Sequence, residues 1–339
     1  MPRLSTKACS AADLTTDRLH ATVQPEEHTM IITVTCNPAL DRSLTVPQFS
    51  ADAVNRATGS RLDPGGKGVN VSKVLNAIGA ESIATGFLGG SAGSAIASAL
   101  DTLGIRHDFV RVAGETRTNL KIYDPVRTTY TDINEPGDPV SAEDIAKLEE
   151  KLLALAKPGD LVLFAGSAPK GLAENTTARW AKTLKKRGVL VAADQDGGQL
   201  NAVLSAKPFL IKPNDNELKE LLALPDTELT TLSQAALQLV RSGIAHVAIS
   251  LGERGALFAD EQGVLYAEGV RVNAVSTVGA GDALTAALLY AAQQNFTREE
   301  TLKLAVATAT AKVTCPGSSP PSMEMIQRYR DQVIVTAFQ

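Results

Sequence analysis

The stretch LVLFAGSAPKGLAENTTARWAKTLKKRGVLVAAD, from Leu161 to Asp194, decides the fold. Its ends, LVLFAG (161–166) and VLVAAD (189–194), are short unbroken apolar runs, the pattern of strands buried on both faces. Between them, Ala173–Lys186 repeats apolar residues at helical spacing. Strand, helix and strand in that order make a unit whose strands run parallel. The rhythm extends outward in both directions. IITVT (31–35), IATGFLG (83–89), PFLIKP (208–213) and VAISLG (247–252) read as further strands. Val69–Ile78, Ser91–Leu103, Ala142–Leu155, Asn216–Leu222 and Leu232–Val240 read as the helices between them. Ala283–Ala292 and Arg298–Val313 follow as two successive helices. The expected fold class is α/β: a doubly wound parallel sheet with helices on both faces.

Composition narrows the function. The 339 residues are 44% hydrophobic with a formal net charge of −4, and both signs are spread along the chain. That excludes a nucleic-acid surface or a polybasic membrane patch, and no apolar run approaches the roughly 20 residues of a membrane span. Cys9, Cys36 and Cys315 are far apart, as are His20, His28, His107 and His246. No disulfide framework or structural zinc site is expected, and a reducing, cytoplasmic setting follows. The histidines read as surface or packing residues. Residues 1–29 are polar, lack the apolar core of a signal peptide and contain acids that transit peptides avoid. They read as a disordered extension or an upstream start, with the fold beginning at Met30.

Two regions break the rhythm: RSLTVPQFSADAVNRATGSRL (42–62) and ETRTNLKIYDPVRTTYTDINEPG (115–137). Their alternating polarity suits exposed antiparallel strands. A small sheet standing off the main domain is expected, its bare apolar face covered by ligand or by a partner subunit.

Glycine-rich loops mark candidate chemistry. DPGGKGVNVSKVL (63–75) sets glycines and Lys67 directly before a helix, where backbone N–H groups and the helix dipole favour an anion. It is no Walker A loop, because Gly68 rather than Ser or Thr follows the lysine. A tight loop entering a helix is the alternative, but Lys67 between glycines reads as exposed and available to a ligand. GFLGGSAGS (86–94) lacks the spacing of a dinucleotide fingerprint and reads as a structural turn. FAGSAPKG (164–171) and IKPNDNEL (211–218) each follow a strand. Ser167, Lys212, Asn214 and Glu217 therefore stand at the carboxyl edge of the sheet, where ligands bind. Asn214 and Glu217 share one helical turn, spaced either to hold a hydrated Mg²⁺ or to cap the helix. ISLGERGAL (249–257) reads as a strand, a glycine turn and a return strand.

STVGAGDALTAALLYA (276–291) poses the sharpest question. Gly279, Ala280 and Gly281 put N–H donors at a helix start, beside Asp282. Donors next to a carboxylate suit phosphoryl transfer, in which the acid takes the proton of the attacking hydroxyl. Taken alone, the aspartate reads as a helix cap. The dipole is expected to hold its pKa down, which a late proton transfer accommodates.

NPALD (37–41), GGKGVNV (65–71), TRTNL (116–120), GSAPKG (166–171), KPNDNEL (212–218), SLGERGAL (250–257) and STVGAGDA (276–283) occur together and in this order. In that combination the chain resembles the ribokinase-like (PfkB) carbohydrate kinases, in their sugar-phosphate branch, from Met30 onward. The resemblance implies a three-layer α/β/α sheet with a β-sheet lid that pairs with a second lid in a homodimer. It implies transfer from ATP, with Mg²⁺ and a monovalent cation, to the C6 hydroxyl of fructose 1-phosphate. Tagatose 6-phosphate and fructose 6-phosphate are the alternative acceptors, and a non-catalytic sensor is the reading from another class. Asp282 would be both base and cap, with the amides of Gly279, Ala280 and Gly281 as anion hole. Asp41, Gly66 and Asn70 would hold sugar hydroxyls, Arg117 the sugar phosphate, and Ser167 would approach the sugar. Lys67 would meet a phosphate of the sugar or of the nucleotide, and Arg56 would reach the partner's site. Lys212, Asn214 and Glu217 would serve the ATP phosphates and Mg²⁺. Ser250, Gly252 and Gly255 would border the nucleotide, with Val306 and Thr310 near adenine. Two segments depart from the family pattern: DQDGGQL (194–200), and TCPGSSPPS (314–322), where the cation site is in question.

Overall fold

The computed structural model describes residues 29–338. The extension read at 1–29 lies outside the described residues, Thr29 excepted. The first half of the chain forms β1 (Ile31–Thr35), β2 (Ala39–Thr45), β3 (Gly59–Gly65), α1 (Lys67–Ala77), β4 (Ser82–Gly89), α2 (Gly90–Thr102), β5 (Val110–Val112), β6 (Arg117–Asp124), β7 (Thr129–Ile133) and α3 (Ala142–Leu155). Then come β8 (Leu161–Gly166), α4 (Thr176–Lys186), β9 (Leu190–Gln195), α5 (Gly197–Leu204), β10 (Leu210–Ile211), α6 (Asp215–Leu222), α7 (Leu229–Arg241) and β11 (His246–Ser250). The chain ends with β12 (Ala256–Asp260), β13 (Gly263–Ala267), α8 (Ala280–Gln293), α9 (Arg298–Val313), α10 (Met323–Arg330) and β14 (Val335–Phe338).

Ten strands form one sheet in the order β14-β13-β12-β11-β10-β9-β8-β1-β4-β5. From β5 across to β11 all neighbours are parallel; β12, β13 and β14 are added antiparallel. The side-chain period of two divides the strands between two cores. Ile32, Val34 and Phe164 face one that contains Trp180, while Ile31 and Leu163 face the other, beneath α1, α8 and α9. Strand order reverses at β1, which lies between β8 and β4. A crevice at the carboxyl end of such a strand is the favoured ligand position in open α/β sheets.

A second sheet, ordered β3-β2-β6-β7, is the lid. Its outer pairs are antiparallel, but the central pair β2–β6 is parallel, with Asp41 opposite Asn119. The expectation of antiparallel strands holds for the two hairpin-like edges and fails at the centre. There two segments distant in sequence meet with no turn to set their direction. Residues 46–58 are loop, anchored by the buried Asp124 carboxylate, which accepts from the amides of Gln48, Phe49 and Val126. Leu62, Tyr130 and Ile133 are exposed on the lid strands. Among the described residues no helix is long and apolar enough to cross a membrane.

Candidate active site

Asp282 is the third residue of α8, whose N-cap is Gly279 at φ 78°, a left-handed conformation that favours glycine. The carboxylate does not cap the helix, correcting the double role expected for it: Oδ2 accepts from Asn70 Nδ2 at 2.9 Å, across the crevice on α1. The N–H of Ala280 bonds to the Thr277 carbonyl at 3.2 Å. Ala280 is thus not a free donor. Gly279, Gly281 and Asp282 have no such bond among the described residues. The expected depression by the dipole is also overturned. Burial pushes the Asp282 pKa up to about 6, and the Asp194 charge adds to this, while Asn70, Lys67 and Lys212 pull it back. A carboxylate so placed is a better base than one at an open helix end.

Behind it lies a charged cluster. Asp194, at the end of β9 and 1% exposed, places Oδ1 at 3.2 Å from Lys67 Nζ and 3.5 Å from Lys212 Nζ. Its Oδ2 accepts from the Thr285 hydroxyl at 2.8 Å. Burial alone would raise this carboxyl, but Lys212 and Lys67 together hold it below its ordinary range. Lys67 also reaches Asp196 at 2.6 Å and Glu217 at 3.8 Å. The sequence reading of Lys67 as exposed is therefore wrong: the side chain is partly buried among three carboxylates. Burial works against its charge, and those carboxylates outweigh it, raising its pKa. Lys212 Nζ lies 3.6 Å from where a β-carbon on Gly281 would be, which puts it at the anion hole.

The lid strands carry the other wall. Asp41 on β2 accepts from Asn119 Nδ2 on β6 at 3.0 Å, and burial raises its pKa against the pull of Lys121, Asn119 and Lys73. Gly66 has φ 99°, and a β-carbon there would press Thr35 and Pro38, so the chain turns from β3 into α1 only as glycine. Arg117 donates to the carbonyls of Asn37 and Glu135 at 3.0 and 2.9 Å, while its buried Nε has no partner among the described residues. Asn37 Nδ2 donates to the Ser167 hydroxyl at 3.3 Å and to the Pro136 carbonyl at 3.2 Å, bridging Ser167 to the Arg117 side. Lys73, buried on α1, donates to the Pro64 carbonyl, to Asn70 Oδ1 and to the Ser318 hydroxyl. That contact turns the Asn70 amide so that its N–H₂ faces Asp282. The Tyr130 hydroxyl donates to the Val275 carbonyl at 2.8 Å, tying the lid to the loop that leads into the anion hole.

Asn214 and Glu217 form a reciprocal capping box, each side chain bonded to the other's amide at 2.8 Å. The capping reading is realised, and it leaves Glu217 Oε1 facing Lys67. Ser250 pairs through its backbone with Asn214, and Gly252 and Gly255 form the turn from β11 to β12 beside it. Val306 and Thr310 lie on the buried face of α9. Arg56 stands exposed in the 46–58 loop and is not brought to the cluster. Asn37, Lys73, Asn119 and Asp194 were not singled out in the sequence. Asn37 and Asn119 sit inside NPALD and TRTNL, and Asp194 ends a predicted strand, so each stood at a position that could have marked it.

Anion donors, a buried base and clustered lysines at one sheet edge can transfer a phosphoryl group to a hydroxyl. Comparison with known proteins agrees. The model of the pfkB family of carbohydrate kinases matches residues 32–325. The 1-phosphofructokinase of Vibrio cholerae serotype O1 is 37% identical, covering 91% of this chain and 96% of its own. A tagatose-6-phosphate kinase of Staphylococcus epidermidis is 35% identical over 81% of this chain and 89% of its own. Among solved structures, phosphofructokinase-2 of Escherichia coli in complex with potassium has a TM-score of 0.86 and 28% identity, covering 90% of this chain and 99% of its own. The same protein is also described in a tetrameric inhibited form.

Proposed function

Because the chain belongs to the pfkB family of carbohydrate kinases, we propose that it moves the γ-phosphoryl group of ATP to the C6 hydroxyl of fructose 1-phosphate, giving fructose 1,6-bisphosphate. The observation that carries this reading is the Asn70–Asp282 pair at the mouth of the glycine-lined helix start. Asp282 takes the hydroxyl proton as the hydroxyl oxygen bonds to phosphorus and the bond to the β-phosphate oxygen breaks. The amides of Gly279, Gly281 and Asp282 receive the equatorial oxygens, and Lys212 and Lys67 meet the nucleotide phosphates. Asp41, Gly66 and Asn70 orient the sugar, Ser167 approaches it, and Arg117 holds its phosphate.

Mg²⁺, when bound with ATP, neutralises charge developing between the β- and γ-phosphates. Among the described residues no group of three or more His, Cys, Asp or Glu is placed to hold a metal. That fits Mg²⁺, which keeps its waters and needs only one or two carboxylates besides phosphate oxygens. Glu217 Oε1 is the oxygen that would serve it. Ser250, Gly252 and Gly255 would border the nucleotide, with Val306 and Thr310 beneath the base. Residues 30–339 act as one kinase domain, whose lid is covered by a second copy through Leu62, Tyr130 and Ile133. Arg56 would then reach the partner's site.

Release of ADP measured with three acceptors tests the substrate. Fructose 1-phosphate is expected to give a kcat/KM at least about tenfold above fructose 6-phosphate and tagatose 6-phosphate, a difference of about 1.4 kcal/mol in transition-state binding. Comparable values on all three would overturn the assignment. Arg117→Ala is expected to raise the KM for the sugar phosphate by about tenfold or more and that for ATP by less than about twofold. Equal changes in both would remove Arg117 from the sugar-phosphate site.

A further inference from the structure

α9 ends at Val313, whose carbonyl accepts from Val275 and Ser276 in the segment that leads into the anion hole. The family resemblance would place a monovalent cation near residues 314–322, and the similar E. coli enzyme has been solved with potassium. Potassium is held by several carbonyl oxygens at once. Here five carbonyls between residues 311 and 317 already accept hydrogen bonds. The carbonyl of Ala311 accepts from the Thr314 amide and hydroxyl, and that of Lys312 from the Cys315 amide. The carbonyl of Val313 accepts from Val275 at 2.7 Å and from Ser276 at 3.1 Å; that of Pro316 accepts from Ser319. The Gly317 carbonyl accepts from the ammonium of Lys312 at 2.7 Å.

Lys312 instead puts a fixed cation beside the anion hole. The residue is 1% exposed, and its Cε lies 3.4 Å from where a β-carbon on Gly279 would be. Its charge is felt at Asp282, although burial comes first and lowers the lysine's pKa. Two more cations crowd the same turn. The Arg61 guanidinium lies against Gly317, and Lys73 donates to the Ser318 hydroxyl at 2.8 Å. Like unit charges about 4 Å apart oppose each other by about 4 kcal/mol at an effective dielectric of 20, roughly a thousandfold in affinity. With the Lys312 ammonium on the Gly317 carbonyl, a potassium ion does not fit here.

We propose that the ammonium of Lys312 takes the place of a bound monovalent cation behind the anion hole, so that this kinase turns over without potassium. The inference rests on the kinase reading above. A covalently tethered charge bonds the Gly317 carbonyl and holds the 314–318 turn against α9. The Val313 carbonyl, bonded to Val275 and Ser276, passes that order to the segment that positions Gly279. The charge sits at the carboxyl end of α9, where the helix dipole favours it.

The test compares turnover in potassium, sodium and tetramethylammonium chlorides at equal ionic strength, alongside thermal unfolding in each. The native chain is expected to give rates within about twofold across the three salts, with unchanged unfolding midpoints. Lys312→Met, which keeps the length and drops the charge, is expected to lose about tenfold or more in kcat and to recover most of it with potassium or ammonium. Its unfolding midpoint should rise with potassium. Stimulation of the native chain by about fivefold or more in potassium would overturn the proposal. So would a folded Lys312→Met that keeps full turnover, or one whose loss no cation restores. If Lys312→Met does not fold, the salt series on the native chain decides by itself. Absence of turnover in every salt would instead remove the kinase reading, and the inference with it.

Discussion

Asp282→Asn is expected to lower kcat by about 10²-fold or more and, in the same protein, to raise its stability. The two effects share one cause. Asp282 is buried, and its pKa stands at about 6 against an ordinary value of 3.8. A shift of one unit corresponds to about 1.4 kcal/mol, so at neutral pH the charged form costs the fold about 3 kcal/mol. Because the folded state binds this proton more readily than the unfolded chain, the residue's contribution is complete below pH 3.8 and is lost as pH rises through about 6. Asparagine keeps the bond from Asn70 and removes both the charge and the base. Unfolding midpoints at pH 5 and pH 8 should show the variant's advantage widening with pH. In the native enzyme the base must be ionised, so kcat should fall as pH drops through about 6. Retained turnover, or a variant less stable than the native protein at pH 8, would refute the role of Asp282.

Asp194→Ala should have the largest cost to folding. It leaves Lys212 with no carboxylate within reach among the described residues and takes from Lys67 its one fully buried partner. Removing one member of a buried ion pair typically costs about 3–5 kcal/mol, because the remaining charge is uncompensated. Asp196→Ala is the control. Its carboxylate also bonds Lys67 but is 46% exposed, so the expected loss is below about 1 kcal/mol. Urea unfolding of both variants measures the contrast. A loss below about 1 kcal/mol for Asp194→Ala would show that the cluster does not hold the fold together.

The α/β body was legible because its strands are unbroken apolar runs and its helices carry a regular stripe. Short or exposed elements were not legible. α5 and α10 have eight residues each, and β14 is an edge strand of four. At the candidate site, glycine-rich loops pointed to the right edge of the sheet. The protonation chemistry could not be read there. Local sequence places Asp282 at a helix start, where the dipole lowers a pKa, whereas burial and Asp194 decide the outcome. Both act through space and leave no mark in neighbouring residues. The surroundings of Lys67 are hidden for the same reason, since its carboxylates come from β9, the N-cap of α5 and α6. Asn214 and Glu217 show the reverse: the capping pattern was visible locally, and its side-chain bonds formed as spaced.

The Asn70–Asp282 bond joins residues 212 positions apart, and Lys67 meets Asp194 across 127. Closing such spans costs chain entropy that only the completed sheet offsets. The base and its adjacent anion hole therefore do not meet Asn70 and the lysine cluster in a chain emerging from the ribosome until α8 docks, after most of its length has been made. Catalytic competence is the last property this polypeptide acquires, and a half-made molecule has no assembled site with which to consume ATP.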